Sequence, residues 1–221
     1  MTDLVIYGTG GFAREVHQLV EDAVSDGADW NVLGFLDDDP EVTGTLVHDL
    51  PILGSRRWLG DRMSHAVAVG VGSTPVRKRL VADLVASNVS LQFPTLVHPA
   101  TVVGNRIDFG RGTIICAGSM LTTDLRLRDH VIVNLDCTIG HDSVIEDFAT
   151  LAPSVNISGG VHIGEGCDLG TSSSVIQGVS IGSWTIVGAG AAVTRDLPAN
   201  VTAVGMPAVP IKERPPGWQE A

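Results

Sequence analysis

The chain has 221 residues, 44% of them apolar, with a formal net charge of -11 and a pI near 4.9. That length allows one or two domains with a proper core, and the acidity argues against nucleic acid or an anionic membrane surface as partner. No apolar run approaches about 18 residues, so no membrane span is expected. The first residues lead into a strand-like stretch without a basic leader, which points to the cytoplasm. Three cysteines, Cys116, Cys137 and Cys167, match no zinc or CxxC spacing and are expected to be reduced core fillers.

In chain order, Leu4 to Tyr7 reads as a strand ending in Gly8-Thr9-Gly10-Gly11, and Phe12 to Val20 follows with apolar residues at helical spacing. A strand, a glycine turn and a helix form a ligand site when the helix N-terminus faces a phosphate, and a simple packing turn when it does not. Asn31 to Leu36 reads as a second strand, ending in Asp37-Asp38-Asp39-Pro40. Ala66 to Val71 reads as a third, followed by a helical run from Val76 to Ala86 with Pro75 in its first turn. Leu91 to Phe93 reads as a last short strand. Alternating strands and helices imply a small parallel α/β unit over residues 1–93, with too few strands for a complete dinucleotide-binding domain.

From Val97 to Val193 every sixth residue is apolar, seventeen positions without a slip. At a 44% apolar frequency such a run arises by chance on the order of once in a million tries. The residue four places further on is usually small, as at Thr113, Ser119, Cys137, Ser143, Ala149, Cys167, Ser173 and Thr185. A period of six fits a parallel β-helix in which three faces close one coil of eighteen residues. This domain is expected over residues 94–205, with 206–221 as a proline-rich tail packing as an extended arm.

Segments such as Ile163-Gly164-Glu165-Gly166-Cys167-Asp168 resemble the hexapeptide repeat of left-handed β-helix acyltransferases, and Gly205-Met206-Pro207-Ala208 resembles their closing G-x-P-A. With the GxGG turn and the Leu-Asp-Asp strand end in front, nearly the whole chain resembles the family of sialic acid O-acetyltransferases and UDP-4-amino-sugar N-acetyltransferases. The resemblance implies a Rossmann-like domain followed by a left-handed β-helix. It also implies a homotrimer with active sites between neighbouring β-helices, acetyl-CoA as co-substrate and no metal. The acceptor would be a nucleotide-activated sugar, acetylated on an amino or hydroxyl group during surface-glycan biosynthesis.

The candidate base is His141 in Ile139-Gly140-His141-Asp142, two residues past an inward position and so pointing off the prism. Adding eighteen places Gly159 over it, roughly 4.8 Å away, where a bare backbone N–H can meet a developing oxyanion. Asp142 resembles the acidic residue following the family's catalytic histidine and would fix the imidazole tautomer. The resemblance further implies acetyl-CoA contacts at Gly159, Thr171, Gly188 and Gly190, with phosphates near Pro207 and Lys212. It implies acceptor contacts at Gly8, Gly10, Gly11, Phe12, Asp37, Asp38, Gly70 and Asn134. Arg77 either meets a phosphate or belongs to a solvated helix face. Two departures from the family stand out: Phe12, where relatives often carry a histidine, and Thr150, where some carry a second histidine.

Two rival readings remain at this point. A zinc enzyme of the γ-carbonic anhydrase kind would need three converging histidines, and His130, His141 and His162 have offsets that match no ligand pattern. A non-catalytic nucleotide-binding module would use the β-helix only to trimerise.

Overall fold

In the computed structural model the apolar stretch from Leu4 to Tyr7 lies inside a five-stranded sheet, paired on both sides. The structure describes residues 1–60, 65–87 and 91–220 and divides into two units, Met1–Pro99 and Ala100–Ala221. In the first, β1 (Thr2–Tyr7) leads through the glycine turn to α1 (Gly11–Ser25). Then come β2 (Trp30–Leu36), the short hairpin β3 (Leu46–Val47) and β4 (Leu50–Gly54), β5 (Ala66–Val69) and α2 (Thr74–Ala86). The sheet order is β3-β4-β2-β1-β5, with β1 parallel to β2 and β5, and β4 parallel to β2.

The hairpin is absent from the sequence reading, and its turn explains why. His48 and Asp49 both have positive φ, 45° and 63°, a conformation normally signalled by Asn-Gly or Gly-Gly. The strand expected at Leu91 to Phe93 reduces to one parallel bridge, Ala66 to Gln92, closed by a Val67 amide to Gln92 carbonyl bond of 2.8 Å.

In the second unit each coil is eighteen residues. Met120 pairs with Val102 below it and Thr138 above, and the ladder continues through Asn156, Ser174 and Ala192. A second face pairs Leu127, Ile145, Ile163 and Ile181, and a third pairs Ile115, Val133, Leu151, Leu169 and Val187. These sixfold residues are buried from Leu121 to Val193. Val103, expected to point inward with them, is 43% exposed because it lies on an end coil, covered on one side only.

Two further rows hold the corners. Every sixth residue from Arg106 to Gly190 has φ between 55° and 75°, and nine of these fifteen are not glycine. Each L-residue there costs roughly 1–2 kcal/mol, least for Asp and Asn, so the stacking around it must offset the strain. The next residue is the usually small one, buried at Thr113, Ser119, Cys137, Ser143, Ala149, Cys167, Ser173, Thr185 and Ala191. The Thr113, Ser119 and Ser143 hydroxyls donate to carbonyls fifteen residues on and accept the amide eighteen residues on. Cys137 and Cys167 do the donor half with their thiols, at 3.2 Å to Ala152 and Gly182. Burial pushes those thiols up to about 11 and about 12, which leaves them protonated and inert.

The tail corrects the expected arm. Val201–Val204 and Val209–Glu213 form an antiparallel hairpin that extends the third face, with Thr202 opposite Lys212.

Candidate active site

The prism corner that follows the face of Thr138 and Ile139 holds the candidate base, His141. Gly140 lacks a Cβ because one would lie 2.6 Å from the Gly159 nitrogen, so the chain turns tightly here. His141 comes next, with its side chain 56% exposed. Asp142 occupies the strained corner slot at φ 59°, and its Oδ2 is 2.8 Å from His141 Nδ1. With Nδ1–H donating to that carboxylate, Nε2 keeps its lone pair.

The coil register continues Thr138 to Asn156 and Ile139 to Ile157, which puts Gly159 over His141. A Cβ on Gly159 would sit 2.5 Å from Nε2, so a side chain there would displace the His141 ring. The amide at this corner slot leaves the coil-to-coil ladder. At Arg111 and Asp129 it is capped by a carboxylate eighteen residues on, and at Leu135 by Asn134 Oδ1. Among the described residues nothing caps the Gly159 N–H, which leaves it available to an oxyanion. Beside this corner an apolar hollow of about 440 Å³ runs along the face from Val102 and Met120 to Gly140.

The remaining donor-site candidates gather elsewhere. Thr171, Gly188 and Gly190 follow the third face and meet at a different corner, joined by a 2.8 Å bond from the Gly190 amide to the Thr171 carbonyl. Asn134 follows the same face, lower in the stack, and its Oδ1 is taken by the Leu135 amide. A Cβ on Gly188 would lie 2.7 Å from a Val204 methyl, so this glycine seats the terminal hairpin. Pro207 follows a cis peptide bond between the hairpin strands, and Lys212 lies exposed on the second of them. Within one chain, His141 and Gly159 therefore come together, while Asn134, Thr171, Gly188 and Gly190 lie at another corner and Pro207 and Lys212 in the terminal hairpin.

In the first unit a cavity of about 240 Å³ opens at the strand ends, lined by Tyr7, Gly8, Asp37, Asp38, Arg56 and Arg79. Tyr7 donates its hydroxyl to Asp38 Oδ1 at 2.7 Å, and Arg56 holds Asp38 Oδ2 at 3.0 Å. Burial, reinforced by the Asp38 hydrogen bond, raises the Tyr7 pKa far above its ordinary value. Burial opposes ionisation of Asp38, yet Tyr7 and Arg56 together bring its pKa below the usual value. Asp37 accepts from the Thr9 hydroxyl and the Asp39 amide. Gly10 and Gly11 have open space where a Cβ would stand, at the start of α1, with Phe12 half-buried behind them.

Two expected acceptor residues are corrected here. Arg77 is 1% exposed and donates to the Val71 and Gly72 carbonyls, so it is neither solvated nor presented to a phosphate; it fixes the loop after β5. Gly70 is a packing requirement, since a Cβ there would lie 2.7 Å from Ala13 Cα on α1. Arg56, which no sequence motif signals, takes the guanidinium position at the cavity, bridging Asp38 and Asp83.

Residues 3–84 match the family model described as the PglD N-terminal domain. GDP-perosamine N-acetyltransferase of Escherichia coli O157:H7 is 28% identical over 95% of this chain and 96% of its own length. PerB from Caulobacter crescentus, solved in complex with CoA and GDP-perosamine, is 31% identical over 95% of this chain and 97% of that one, with a TM-score of 0.84. The chain belongs to the sugar N-acetyltransferase family. A further family structure, the acetyltransferase domain of PglB from Neisseria gonorrhoeae FA1090 with acetyl coenzyme A, has a TM-score of 0.86 at 29% identity. It covers 95% of this chain and 99% of that one. Like these sugar N-acetyltransferases, the chain joins a Rossmann-like unit to a left-handed parallel β-helix. The zinc reading loses its basis in the histidines themselves. His130 is buried and stacked on Phe148, His141 lies at another corner, and His162 pairs with Glu146 on a face. Among the described residues no cluster of three metal-binding side chains occurs, and no helix is long and apolar enough to cross a membrane.

Proposed function

We propose that this sugar N-acetyltransferase moves acetyl from acetyl-CoA to the amino group of a nucleotide-linked sugar, with His141 as general base. The observation that supports this most is His141 Nε2, free of the Asp142 contact and lying against a glycine whose Cβ would push it aside. His141 Nε2 accepts a proton from the acceptor nitrogen as that nitrogen forms its bond to the thioester carbonyl carbon. The Gly159 N–H donates to the carbonyl oxygen as it becomes negative. When the carbon–sulfur bond breaks, the imidazolium returns the proton to the leaving thiolate, so atoms and charge balance. Asp142 stabilises the imidazolium between those steps.

The first unit's cavity suits the nucleotide. Arg56 and Arg79 supply cations, Asp37 and Asp38 accept hydrogen bonds at a strand end, and Gly10 and Gly11 leave the start of α1 open. GDP-perosamine, bound by the Caulobacter relative, identifies GDP-amino sugars as the first acceptors to try. A trimer accounts for the two separated donor-site corners, because a second copy can bring its Thr171 and Gly188 corner against the first copy's His141. The test is thiol release from acetyl-CoA against GDP-, UDP- and dTDP-linked amino sugars and their hydroxyl counterparts. Turnover confined to an amino sugar is expected; turnover of the hydroxyl sugars alone, or of none, contradicts the proposal.

A further inference from the structure

In the first unit the β3–β4 hairpin has its base at the strand-end cavities and its tip on α1. At the base, Pro40, Thr43, Ser55 and Arg56 line, with Asp37 and Asp38, a hollow of about 690 Å³. Arg56 is fixed there by Asp38 and Asp83, and the Asp37 amide donates to the Gly54 carbonyl at 2.9 Å. The tip has less to hold it. Its strands pair Leu46 with Pro51 and Val47 with Leu50, and Pro51 has no amide to donate. Leu46 is 64% exposed, and the turn residues His48 and Asp49 take positive φ without being glycine. So small a hairpin is marginal unless something packs on it.

What meets the tip is one histidine pair. His48 Nδ1 lies 3.3 Å from Nδ1 of His17, which is buried on α1. The ring centroids are 5.5 Å apart, about two ring radii more than the nitrogen separation, so the nitrogens face each other along one line. Two imidazoles on one tetrahedral metal ion aim at a point off that line, whereas two that share a proton meet head-on. Few charges surround the pair. On α1, Glu21 is 3.9 Å from His17 Nε2, Arg14 reaches back to the Thr9 carbonyl, and Asp22 is held by His98 and Gln18. From β2 comes the Phe35 ring, 5.7 Å away and edge-on, and from the hairpin come His48 itself and the exposed Asp49.

We propose that this pair is an acid-released latch, holding the hairpin on α1 while either Nδ1 lacks a proton and freeing it when both carry one. With both rings neutral, one Nδ1–H donates to the other ring's lone pair. A first added proton, taken by the exposed His48, keeps that bond and makes it charge-assisted. A second, on His17, sets two N–H groups and two positive charges head-on with no acceptor between them. Burial lowers the His17 pKa from 6.5, so the second proton arrives only below that pH. The freed hairpin then carries Arg56 away from Asp38 and opens the cavity wall. His17 and His48 are in this sense positioning residues for the cavity.

The consequence for binding rests on the nucleotide-sugar reading above, whereas the latch itself does not, and two measurements on the full chain separate them. Hydrogen exchange compares residues 44–54 with β1 at about pH 7.5 and about pH 5, in wild type and in His48→Asn. Asparagine tolerates positive φ and takes no proton there. Hairpin protection in wild type is expected to fall about tenfold or more at the lower pH with β1 unchanged, and in His48→Asn to change less than about threefold. An equal fall in both proteins, or none in wild type, overturns the latch. Calorimetry with GDP reads the consequence: affinity is expected to drop about tenfold more between the two pH values in wild type than in His48→Asn. Equal drops overturn the link from latch to cavity. Wild type that binds no GDP at about pH 7.5 overturns GDP as the cavity's nucleotide, and the exchange result alone then decides the latch.

Discussion

Two histidines eleven residues apart on the same prism have opposite fates. His130 is 1% exposed, with its ring 5.2 Å from that of Phe148 and nearly parallel to it. A Cβ on Gly112 below it would meet its Nδ1. His141 is largely exposed, paired with Asp142 and lying against Gly159. Phase within the hexapeptide decides which is which. His130 is three residues past an inward apolar residue, in the left-handed slot that folds a side chain along the corner onto the coil below. His141 is two residues past, where the side chain points outward. The repeat therefore turns one histidine into a packing group and leaves the other presented outward as the proposed base, with a glycine eighteen residues away lying against each from a different direction.

That contrast can be broken from either side. Gly159→Ala gives the largest effect short of removing the base. Its backbone is ordinary, so the fold should hold, while the new methyl displaces Nε2 and lowers kcat about 100-fold, read by thiol release. His130→Ala should do the reverse, costing about 2–4 kcal/mol in urea unfolding through the lost stacking, with kcat per folded molecule unchanged. Asp142→Asn sharpens the picture. Both partners are exposed, at 56% and 69%, so the pair is worth up to about 1 kcal/mol, and kcat should fall roughly fivefold with melting unaltered.

The smallest effect concerns a third histidine, His17, on α1 and 4% exposed. Burial lowers its pKa below 6.5, opposed by Glu21 and helped by His48, whose Nδ1 faces His17 Nδ1 at 3.3 Å. A depressed histidine pKa means the unfolded chain binds the proton first as pH falls. The stability from His17 is thus complete above 6.5 and declines below it. His17→Leu should flatten urea midpoints measured across that range, and an unchanged slope would count against the assignment.

The coil architecture was legible in the sequence because a single apolar row with no slips defines the coil period, and adding eighteen to His141 needs nothing but that period. The corner conformation was not legible. Nine left-handed slots carry Arg, Asp, His, Phe, Ser or Trp, so no glycine pattern announces them, and only coil-to-coil stacking holds them. The β3–β4 hairpin was missed for the same reason, a positive-φ turn made from His48-Asp49. Arg56 and Arg77 show the limit for lone side chains. Arg56 lines the cavity while Arg77 is buried on α2, a difference set by packing that no spacing rule encodes. The two separated donor-site corners were likewise hidden until the eighteen-residue register assigned each glycine to a face.

The central claim is that phase within the repeat makes His141 the base. The most direct measurement is kcat of purified His141→Ala with acetyl-CoA and its amino-sugar acceptor at saturation, alongside its melting temperature. A fall of about 10³-fold or more with melting unchanged is the predicted result. Turnover within a few-fold of wild type would contradict the account.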